Sequence, residues 1–496
     1  MAKKRTIVAG VVAALGAAGA TYLAVKKAGT DAQQERRVGP TTRTARNVEI
    51  ARMGTKAGAS FAAHKAKRAF ASAARKDELD AEFQLKTAEQ VAAALGNMKG
   101  ALMKVGQMAS YLDQGLPEPV RDALAQLQSD APPMAPELAA QVVHDELGAP
   151  PQEIFQEWDP VPIAAASIGQ VHRAITRDDR AVAVKVQYPG IADAIRSDLA
   201  NADLLFGALE MVFAGMDSKP IVEEIKERVG EELDYRIEAA NQTLFADYYR
   251  EHPFIHVPDV VAELSTGRVL TSDLATGDRF DAVLGWSDHE RGLAAEAIYR
   301  YVFRSLYRLH AFNGDPHPGN YLFRPGGQVT FLDYGMVKRF VPAEVTMFER
   351  MVKAMVLDHD IAGYRELLAE EGLLRDHEQF TDEQLGAYFR HFYEFVMIDE
   401  PVTLTPEWSS ESMRRFFDPS GPYGAVARAA NLTRSFVIIQ RINLGLGAVL
   451  GDLHATRNWR RIADELWPFV DGPPSTPMGE AEAEWMRTKA ETGPVS

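Results

Sequence analysis

The chain has no cysteine among its 496 residues. Disulfide bonds, thiolate metal sites and cysteine nucleophiles are therefore excluded. Acidic residues are nearly missing from residues 36–76, which hold eleven Lys or Arg against one acid, Glu49. Because the net charge of the whole chain is −15, the remainder is strongly acidic. An acidic surface repels a phosphate backbone, so we expect no nucleic-acid partner.

One long uncharged run stands at the N-terminus, from Thr6 to Val25, with basic residues on both sides. A helix needs about 20 predominantly apolar residues to cross a bilayer. This run has that length, although it is rich in Ala and Gly. The basic start and small residues also fit a cleaved signal peptide, and a soluble helix is a third interpretation. We favour a membrane-associated segment over residues 1–30.

The basic stretch lies in residues 31–80, where apolar residues are interleaved with Lys and Arg. Each basic residue near an anionic lipid surface contributes on the order of 1 kcal/mol to binding. A solvated linker is the usual interpretation of such a charge run. The adjacent apolar run favours a membrane lipid surface as the partner of this linker.

Carboxylate and amide side chains follow one another at a characteristic spacing between Leu309 and Gly335. Asp315 precedes Asn320 by five residues, and Asp333 comes after a short apolar hairpin. Phosphoryl transfer needs a carboxylate at the attacking oxygen and hard oxygen ligands that hold Mg²⁺ against the nucleotide phosphates. The order D-x-x-x-x-N, hairpin, D-[FY]-G is the one that a protein-kinase-like fold uses. We therefore expect ATP and Mg²⁺ as cofactors.

A lysine inside a β-branched run supports this interpretation. Residues 161–187 predict three short strands, and Lys185 lies in the last of them, in VAVKVQ. An exposed strand lysine is the simpler explanation for one such residue. Together with the ordered carboxylates downstream, it fits the kinase lysine that pairs with the α- and β-phosphates.

A glycine-rich loop, which lets backbone N–H groups approach phosphates closely, is missing before this strand. The corresponding residues are Ala164, Ala165, Ala166 and Ser167. Alanine restricts the backbone where glycine permits positive φ. We expect a stiffer turn and altered nucleotide binding, with the Ser167 hydroxyl still available.

Two further parts of a nucleotide site are placed by position. An acidic cluster at Glu231, Glu232, Asp234 and Glu238 should supply the carboxylate that pairs with the strand lysine. Farther on, the runs IHVPDVVAEL and GRVLTSDLATG predict two strands. The connector from Thr271 to Gly277 is expected to meet an adenine ring through backbone groups. Ser272 and Leu274 are its candidate contacts.

Six motifs in order make the chain resemble the UbiB/AarF atypical kinases, which include the coenzyme-Q biosynthesis kinases of bacteria, mitochondria and plastids. The resemblance covers about residues 87–360. The motifs are K-x-G-Q at 104–107, AAASIGQVH at 164–172, VAVKVQ at 182–187, ELDYRIEAAN at 232–241, GDPHPGN at 314–320 and LDYG at 332–335. Tyr334 stands where phenylalanine is usual, and either ring can pack.

The resemblance implies an α+β, bilobal protein-kinase-like fold and assigns roles to the motif residues. Lys185 would bind phosphate with Glu238 as its helix partner, and Asp315 would be the catalytic aspartate. Asn320 and Asp333 would hold the metal.

A helical extension carrying Lys104, Gly106 and Gln107 would fold over the place where a protein kinase accepts its peptide. Glu232 and Asp234 would form the E-x-D pair that meets Lys104. Together with the alanine-rich loop, this extension argues against ordinary protein phosphorylation.

The expected function is that of an Mg²⁺-dependent ATP-binding atypical kinase or ATPase. It would act on the cytoplasmic side of a membrane, N-terminally anchored or peripherally attached, because the enzyme needs cytosolic ATP. Prenylquinone or lipid metabolism is the implied setting, with lipid- or quinone-biosynthesis proteins as partners. A nucleotide-binding pseudoenzyme scaffold and a small-molecule phosphotransferase remain as alternatives.

The chain is expected to divide into six parts. These are the membrane segment 1–30, the basic linker 31–80, the helical extension 81–160, an N-lobe 161–275 with inserted helices, a helical C-lobe 276–470 and a disordered tail 471–496. Helices are predicted at Pro136 to Leu147 and through most of Val341 to Trp467. Without cysteine ligands, His310 and His317 are expected to be structural.

Overall fold

The computed structural model describes residues 134–166, 168–193, 195, 230–313, 316–417, 421–430 and 434–492. The chain divides into two compact units, residues 1–131 with 190–226 and residues 132–189 with 227–496. Apart from residues 190–193 and 195, the described residues belong to the second unit. The membrane segment, the basic linker and the K-x-G-Q motif lie outside the described residues, as do Ser167 and Asp315.

The first lobe of this unit is built on an antiparallel sheet. Its elements in chain order are α1 Pro136–Leu147, α2 Pro151–Ile154, β1 Glu157–Trp158, β2 Ala164–Ala166, β3 Gly169–Ile175, β4 Ala181–Gln187, α3 Tyr235–Tyr248, β5 Ile255–His256 and β6 Val269–Asp273. The strand order is β1-β3-β4-β6, and β2 pairs with β3. The α1 bounds match the predicted helix; Pro136 begins it and Gly148, at φ 86°, ends it.

One face of β4 explains why α1 belongs to this lobe. Val182, Val184 and Val186 alternate along the strand and are fully buried. They form one apolar cluster with residues of α1, including Val142 and Val143. The sheet lobe therefore begins before residue 161, earlier than predicted, because α1 covers the sheet and β1 pairs with β3. The opposite face of β4 carries Lys185.

The second lobe starts with two helices and four short strands. These are α4 Phe280–Val283, α5 Asp288–Leu309, β7 Ala311–Asn313, β8 Tyr321–Arg324, β9 Gln328–Phe331 and β10 Val337–Arg339. The predicted apolar hairpin is confirmed as β8 and β9. The predicted strand over IHVPDVVAEL is wrong beyond Ile255–His256, and those two residues pair in parallel with β9 instead of joining the first sheet.

Helices form the rest of the second lobe, as the pattern predicted. They are α6 Pro342–Val352, α7 Ile361–Glu370, α8 Asp382–Phe389, α9 Glu394–Met397, α10 Pro406–Phe417, α11 Gly424–Ala429, α12 Arg434–Asp452, α13 Trp459–Leu466 and α14 Pro477–Thr492, with β11 Val402–Thr403 pairing β12 Thr456–Arg457. Their apolar faces share one large core with α5. None of the described helices combines the length and apolar character needed to cross a membrane.

The predicted disordered tail is wrong for residues 477–492, which form α14. Met478, Glu482 and Trp485 recur at helical spacing and are buried. The tail composition is polar, but its central carboxylate is placed between two buried arginines of α5. Burial of that ion cluster and of the tryptophan holds the helix on the lobe.

Candidate active site

A buried ion pair joins the first sheet to α3. Lys185 lies opposite Val171 and Leu270 in the strand register, and its Nζ donates to both carboxylate oxygens of Glu238 at 2.7 and 2.9 Å. The two side chains are 16% and 6% exposed. Hydrogen bonds between ionised groups are stronger than neutral ones. Among the predicted acidic cluster, the structure therefore brings Glu238 to the strand lysine.

The surroundings keep Lys185 charged. Burial disfavours its ammonium, but the Glu238 and Asp333 carboxylates outweigh that cost and raise the lysine pKa above its ordinary value. The Asp333 Oδ2 atom is 4.0 Å from Nζ, and the ring of Tyr235 lies with its centroid 5.1 Å from the same ammonium. The Lys185 ammonium therefore lies between the carboxylates of Glu238 and Asp333.

Asp333 is held in place through its neighbours. Its backbone oxygen accepts a hydrogen bond from the Asn313 side chain, and its Oδ1 accepts from the Gly335 N–H at 2.9 Å. Tyr334 is fully buried and packs against Phe245 of α3, with ring centroids 5.1 Å apart. This packing and the two hydrogen bonds fix the direction of the Asp333 backbone.

The hydroxyl group of Tyr334, which the usual phenylalanine lacks, has a hydrogen-bond partner. The Tyr301 hydroxyl donates to the Tyr334 hydroxyl at 3.2 Å. Asn241 donates from its amide to the Tyr334 carbonyl at 3.2 Å. The extra oxygen is thus accommodated without loss of burial, in line with the predicted mild effect of this change.

Asn320 ends a short 3₁₀ helix, Pro318–Asn320. Its carbonyl accepts from the Leu332 N–H at 3.0 Å, which places it beside the residue before Asp333. His317 accepts the Gly319 N–H through Nδ1 at 3.0 Å, and His310 ends α5 in the left-handed conformation at φ 47°. The structural role expected of both histidines stays a prediction.

Three acidic side chains surround Gly335. A Cβ atom added there would lie 3.3 Å from Asp333 Oδ1, 3.7 Å from Glu238 Oε2 and 3.8 Å from Glu232 Cγ. Within the described residues no three His, Asp or Glu side chains form a closed metal cage. Mg²⁺ is normally held by one or two carboxylates together with substrate phosphates. Asp333 and Asn320 fit that open kind of site.

The two members of the predicted E-x-D pair have different surroundings. Asp234 is the N-cap of α3 and accepts from the Arg236 N–H at 3.1 Å and from its Nε at 2.8 Å. The Arg236 side chain lowers the pKa of this carboxyl. Glu232 is buried beside Gly335. Their predicted contact with Lys104 lies outside the described residues.

The alanine-rich segment is a tight hairpin. Ala164, Ala165 and Ala166 form β2 and pair with Val171, Gln170 and Gly169 of β3, respectively. A Cβ atom at Gly169 would lie 2.2 Å from the Val186 carbonyl oxygen, so only glycine fits the close approach of β3 and β4. The predicted loop is therefore largely strand.

Ser272 and Leu274, the predicted adenine contacts, already form backbone pairs or hydrogen bonds within the first sheet. Ser272 pairs with Ala183 inside β6, and the Leu274 N–H donates to the Ala181 carbonyl at 3.0 Å. These backbone groups extend the β4–β6 ladder by one residue beyond the strand. The connector that continues to Gly277 begins after them.

Three residues of the site were not identified from the sequence. Tyr235 lies beneath the Lys185 ammonium, and the amides of Asn313 and Asn241 donate to the backbone carbonyls of Asp333 and Tyr334, respectively. Tyr235 and Asn241 belong to the ELDYRIEAAN motif, which offered a signal. Asn313 had none beyond its nearness to Asp315 in sequence.

A separate cavity of about 90 Å³ lies in the helical lobe, between α5, α6, α10 and α12. Its wall is mainly aromatic and aliphatic and includes Tyr307, Phe348 and Trp408. It shares no residue with the Lys185 site. The chemistry described above therefore belongs to the cleft between sheet and helices and not to this cavity.

Comparisons with known proteins give the same family from several directions. The sequence model of the ABC1 atypical kinase-like domain matches residues 126–368. The chain is 31% identical over 328 residues to the mitochondrial atypical kinase COQ8B of Rattus norvegicus, covering 66% of this chain and 62% of that protein. It is 32% identical over 401 residues to a chloroplastic aarF domain-containing protein kinase of Arabidopsis thaliana, covering 78% and 55%.

A solved structure is similar as well. The erythromycin complex of a Mycobacterium tuberculosis protein superposes with a TM-score of 0.59 at 32% identity, over 80% of this chain and 100% of that one. The chain spans 62% and 55% of the length of the two curated relatives. The predicted α+β, bilobal kinase-like fold is confirmed.

Proposed function

Because this chain belongs to the UbiB/AarF family of atypical kinases, we propose that it binds ATP with Mg²⁺ and transfers the γ-phosphoryl group, to water or to a small lipid-side acceptor. The observation that carries the proposal is the Lys185–Glu238 pair with Asp333 4.0 Å from the same ammonium. A strand lysine, a helix glutamate and a metal-binding aspartate are the parts that position and neutralise nucleotide phosphates.

Each residue has a distinct task in this proposal. Glu238 holds the Lys185 ammonium toward the α- and β-phosphate oxygens, which lowers the entropy lost on binding. Asp333 and Asn320 hold Mg²⁺, which supplies charge neutralisation at the phosphates when it is bound. Asp315, five residues before Asn320, orients the attacking oxygen and accepts its proton.

Two backbone segments mark where the phosphates and the adenine ring would bind. The β2–β3 hairpin with Ala165 at its exposed side covers the phosphates, and the Ser167 hydroxyl offers a donor. Adenine meets the connector from Leu274 to Gly277, beyond the N–H group that Leu274 already gives to Ala181. Alanine does not readily adopt the positive φ that lets the backbone of a glycine loop approach a ligand closely, so we expect weaker binding of the phosphates than in protein kinases.

Replacing the metal ligand tests the function. In Asp333→Asn, Mg²⁺-dependent ATP binding is expected to disappear and phosphate release to fall by ~10²-fold or more, because the metal contributes several kcal/mol. Calorimetric titration with and without Mg²⁺ and a phosphate-release assay measure both. Asp358→Asn, at an exposed aspartate of the helical lobe, is the matched control. Equal Mg²⁺–ATP affinity in Asp333→Asn and Asp358→Asn would contradict the assignment.

The same assay separates catalysis from scaffolding. An enzyme releases phosphate in a way that depends on Asp315, whereas a pseudoenzyme binds ATP without turnover. Transfer of labelled γ-phosphate to a hydroxylated lipid or metabolite would favour a kinase over an ATPase. We propose prenylquinone or lipid metabolism as the setting, supported by the family, and biosynthesis proteins of that pathway as partners.

The proposed site of action is a membrane surface. Residues 6–25 and the basic residues 36–76 support this; the two curated relatives carry the names mitochondrial and chloroplastic. The full chain is expected to cofloat with anionic vesicles, and a chain beginning at Asp77 to do so much less, since it lacks the basic residues. Vesicle flotation at low and high salt measures this. Equal flotation of both chains would refute the proposed attachment.

A further inference from the structure

The C-terminal helix α14 contacts both α3 and α5. Three of its residues face the lobe at helical spacing, Glu482, Trp485 and Lys489, and these are called the C-terminal clamp below. Two clamp residues contact the C-terminal end of α3, the helix that carries Glu238. The third contacts α5, which leads into β7 and Asn313.

Lys489 caps the end of α3. Its ammonium donates to the carbonyl of Asp247 at 3.3 Å and to the carbonyl of Tyr248. These are among the last carbonyls of the helix, where a cation also interacts favourably with the helix dipole. The ammonium lies 4.5 Å from the ring centroid of Tyr248 and 5.0 Å from that of Trp485. Lys489 thus joins α14 to α3 through backbone acceptors.

Trp485 fixes the chain immediately after α3. Its indole N–H donates to the Arg250 carbonyl at 3.0 Å. The buried ring stacks on Tyr249, with an interplanar angle of 7°, and meets His252 edge-on at 4.5 Å. Tyr249 in turn shares a 2.7 Å hydrogen bond with Ser305 of α5. The end of α3 is therefore held between α5 and α14.

Glu482 secures α14 to α5. Its carboxylate accepts from Arg300 at 3.0 Å and from Arg304 at 3.0 and 2.9 Å. All three side chains are buried. A buried carboxylate that is fully paired in this way is costly to withdraw. The C-terminal clamp is thus bound to α5 through the ion cluster of Glu482 and to the end of α3 through Trp485 and Lys489.

The held part of α3 also supports the metal-binding aspartate. Phe245, two residues before Asp247, packs against Tyr334, and Asn241 donates to the Tyr334 carbonyl. Tyr334 follows Asp333 directly. A displacement of the C-terminal half of α3 would therefore loosen Asp333 as well as tilt Glu238 away from Lys185.

We propose that the C-terminal clamp holds α3 in the position where Glu238 pairs with Lys185 and Phe245 supports Tyr334. Trp485 and Lys489 are then positioning residues of the phosphoryl-transfer site, although they touch none of its reacting groups. This inference rests on the proposed function for its catalytic consequence. The mechanical part, that α14 restrains α3, stands on the contacts alone.

The test uses full-length variants with a matched set of controls. Lys489→Met removes the two carbonyl contacts, and Lys489→Arg keeps a cation that can reach them. Trp485→Leu removes the stacked ring and the indole donor. Arg487→Ala is the control on the same helix, because Arg487 is 71% exposed and pairs with Glu484 on its own helix.

Two readouts are measured on each variant. Amide exchange of residues 235–248 is recorded without nucleotide, and we expect it to rise roughly tenfold in Lys489→Met and Trp485→Leu, with exchange in α8 unchanged. The KM for Mg²⁺–ATP is expected to rise roughly five- to tenfold in the same variants. Lys489→Arg should restore both values, and Arg487→Ala should match wild type.

The outcomes decide the two parts separately. Exchange in α3 equal to that of Arg487→Ala overturns the clamp, and so does a uniform rise that includes α8, because that marks a general loss of stability. Faster α3 exchange with an unchanged KM overturns the positioning role. If the wild-type chain binds no nucleotide, the proposed function fails, while the exchange measurements still decide whether α14 restrains α3.

Discussion

Glu482→Ala is expected to lower the free energy of unfolding by about 3–5 kcal/mol, because removing one partner of a buried ion cluster leaves uncompensated charge. Arg304 makes both of its carboxylate contacts to Glu482, whereas Arg300 keeps Glu296 and Glu465. Arg304 is therefore the buried cation that loses its carboxylate partner in this variant. Urea denaturation followed by tryptophan fluorescence measures the change.

The control for this variant lies two residues farther along the helix. Glu484 is exposed and its carboxylate pairs with Arg487 of the same helix, so Glu484→Ala should change stability by less than about 1 kcal/mol. A loss of similar size in both variants would contradict the importance of the buried cluster. Glu482→Gln should fall between them, since it keeps the shape of the side chain but not the charge.

The pH dependence of the difference has a definite sign. Burial raises the pKa of Glu482, but the neighbouring His252 and the charges of Arg304 and Arg300 outweigh it and hold the pKa well below its ordinary value. A carboxyl of this kind stabilises the fold above its unfolded-state pKa of about 4.3 and loses that contribution as the pH falls toward the folded-state pKa. The stability difference between wild type and Glu482→Gln should be present at neutral pH and shrink below about pH 4.

The ion cluster around Glu482 could not be predicted from the sequence. A glutamate in the polar tail PSTPMGEAEAEWMRTKAE is typical of a solvated or disordered segment. Its partners Arg300 and Arg304 lie more than 170 positions away. Nothing local indicates that such distant charges meet in the interior. The helical spacing of Met478, Trp485 and Lys489 was the available signal.

The candidate site was more accessible to prediction because its parts are local motifs. The spacing of Asn320 and Asp333 around a short hairpin fixes their neighbourhood through one turn and one ladder. Lys185 stood out because a charged residue inside a β-branched run needs a partner. The choice of Glu238 within the acidic cluster came from resemblance and required the fold, since helix phase decides which carboxylate faces the sheet.

Short strands show the opposite case. Ile255 and His256 read as part of a longer strand near β6, yet they pair in parallel with Val329 and Thr330 of the second lobe. Two-residue strands carry too little pattern to fix a partner. Their placement depends on the core that Phe254, Phe323 and Phe331 complete together.

Lys185→Met is expected to reduce ATP turnover by ~10²–10³-fold, the usual effect of losing one preorganised charge at a transferring group. The variant should also lose stability, because the buried Glu238 carboxylate loses its lysine partner. The N-cap of α3 and its contacts with α14 are kept, and thermal unfolding measured beside turnover shows whether the variant is folded. Lys353→Met, at an exposed lysine of the helical lobe, is the control. Single-turnover kinetics separate the loss of chemistry from weaker binding.

We expect Lys185 to stay protonated over the pH range of the turnover assay. The carboxylates of Glu238 and Asp333 outweigh burial and raise the Lys185 pKa above its ordinary value near 10.4. A raised lysine pKa means that the ion pair is fully present below about pH 10 and is lost only as the pH rises through the folded-state value. Any decline of turnover between pH 7 and 9 must therefore come from another group, and it should persist in Glu238→Gln.

A double-mutant cycle distinguishes positioning from independent action. Glu238 accepts hydrogen bonds from Lys185 through both carboxylate oxygens. Because a carboxylate repels a phosphate group, the effect of Glu238 on turnover should act through the lysine. Glu238→Gln alone is expected to cost ~10-fold or more in turnover, and adding it to Lys185→Met to cost little further. Fully additive losses would contradict this and would give Glu238 a separate task at the metal, where its carboxylate already lies near that of Asp333 around Gly335.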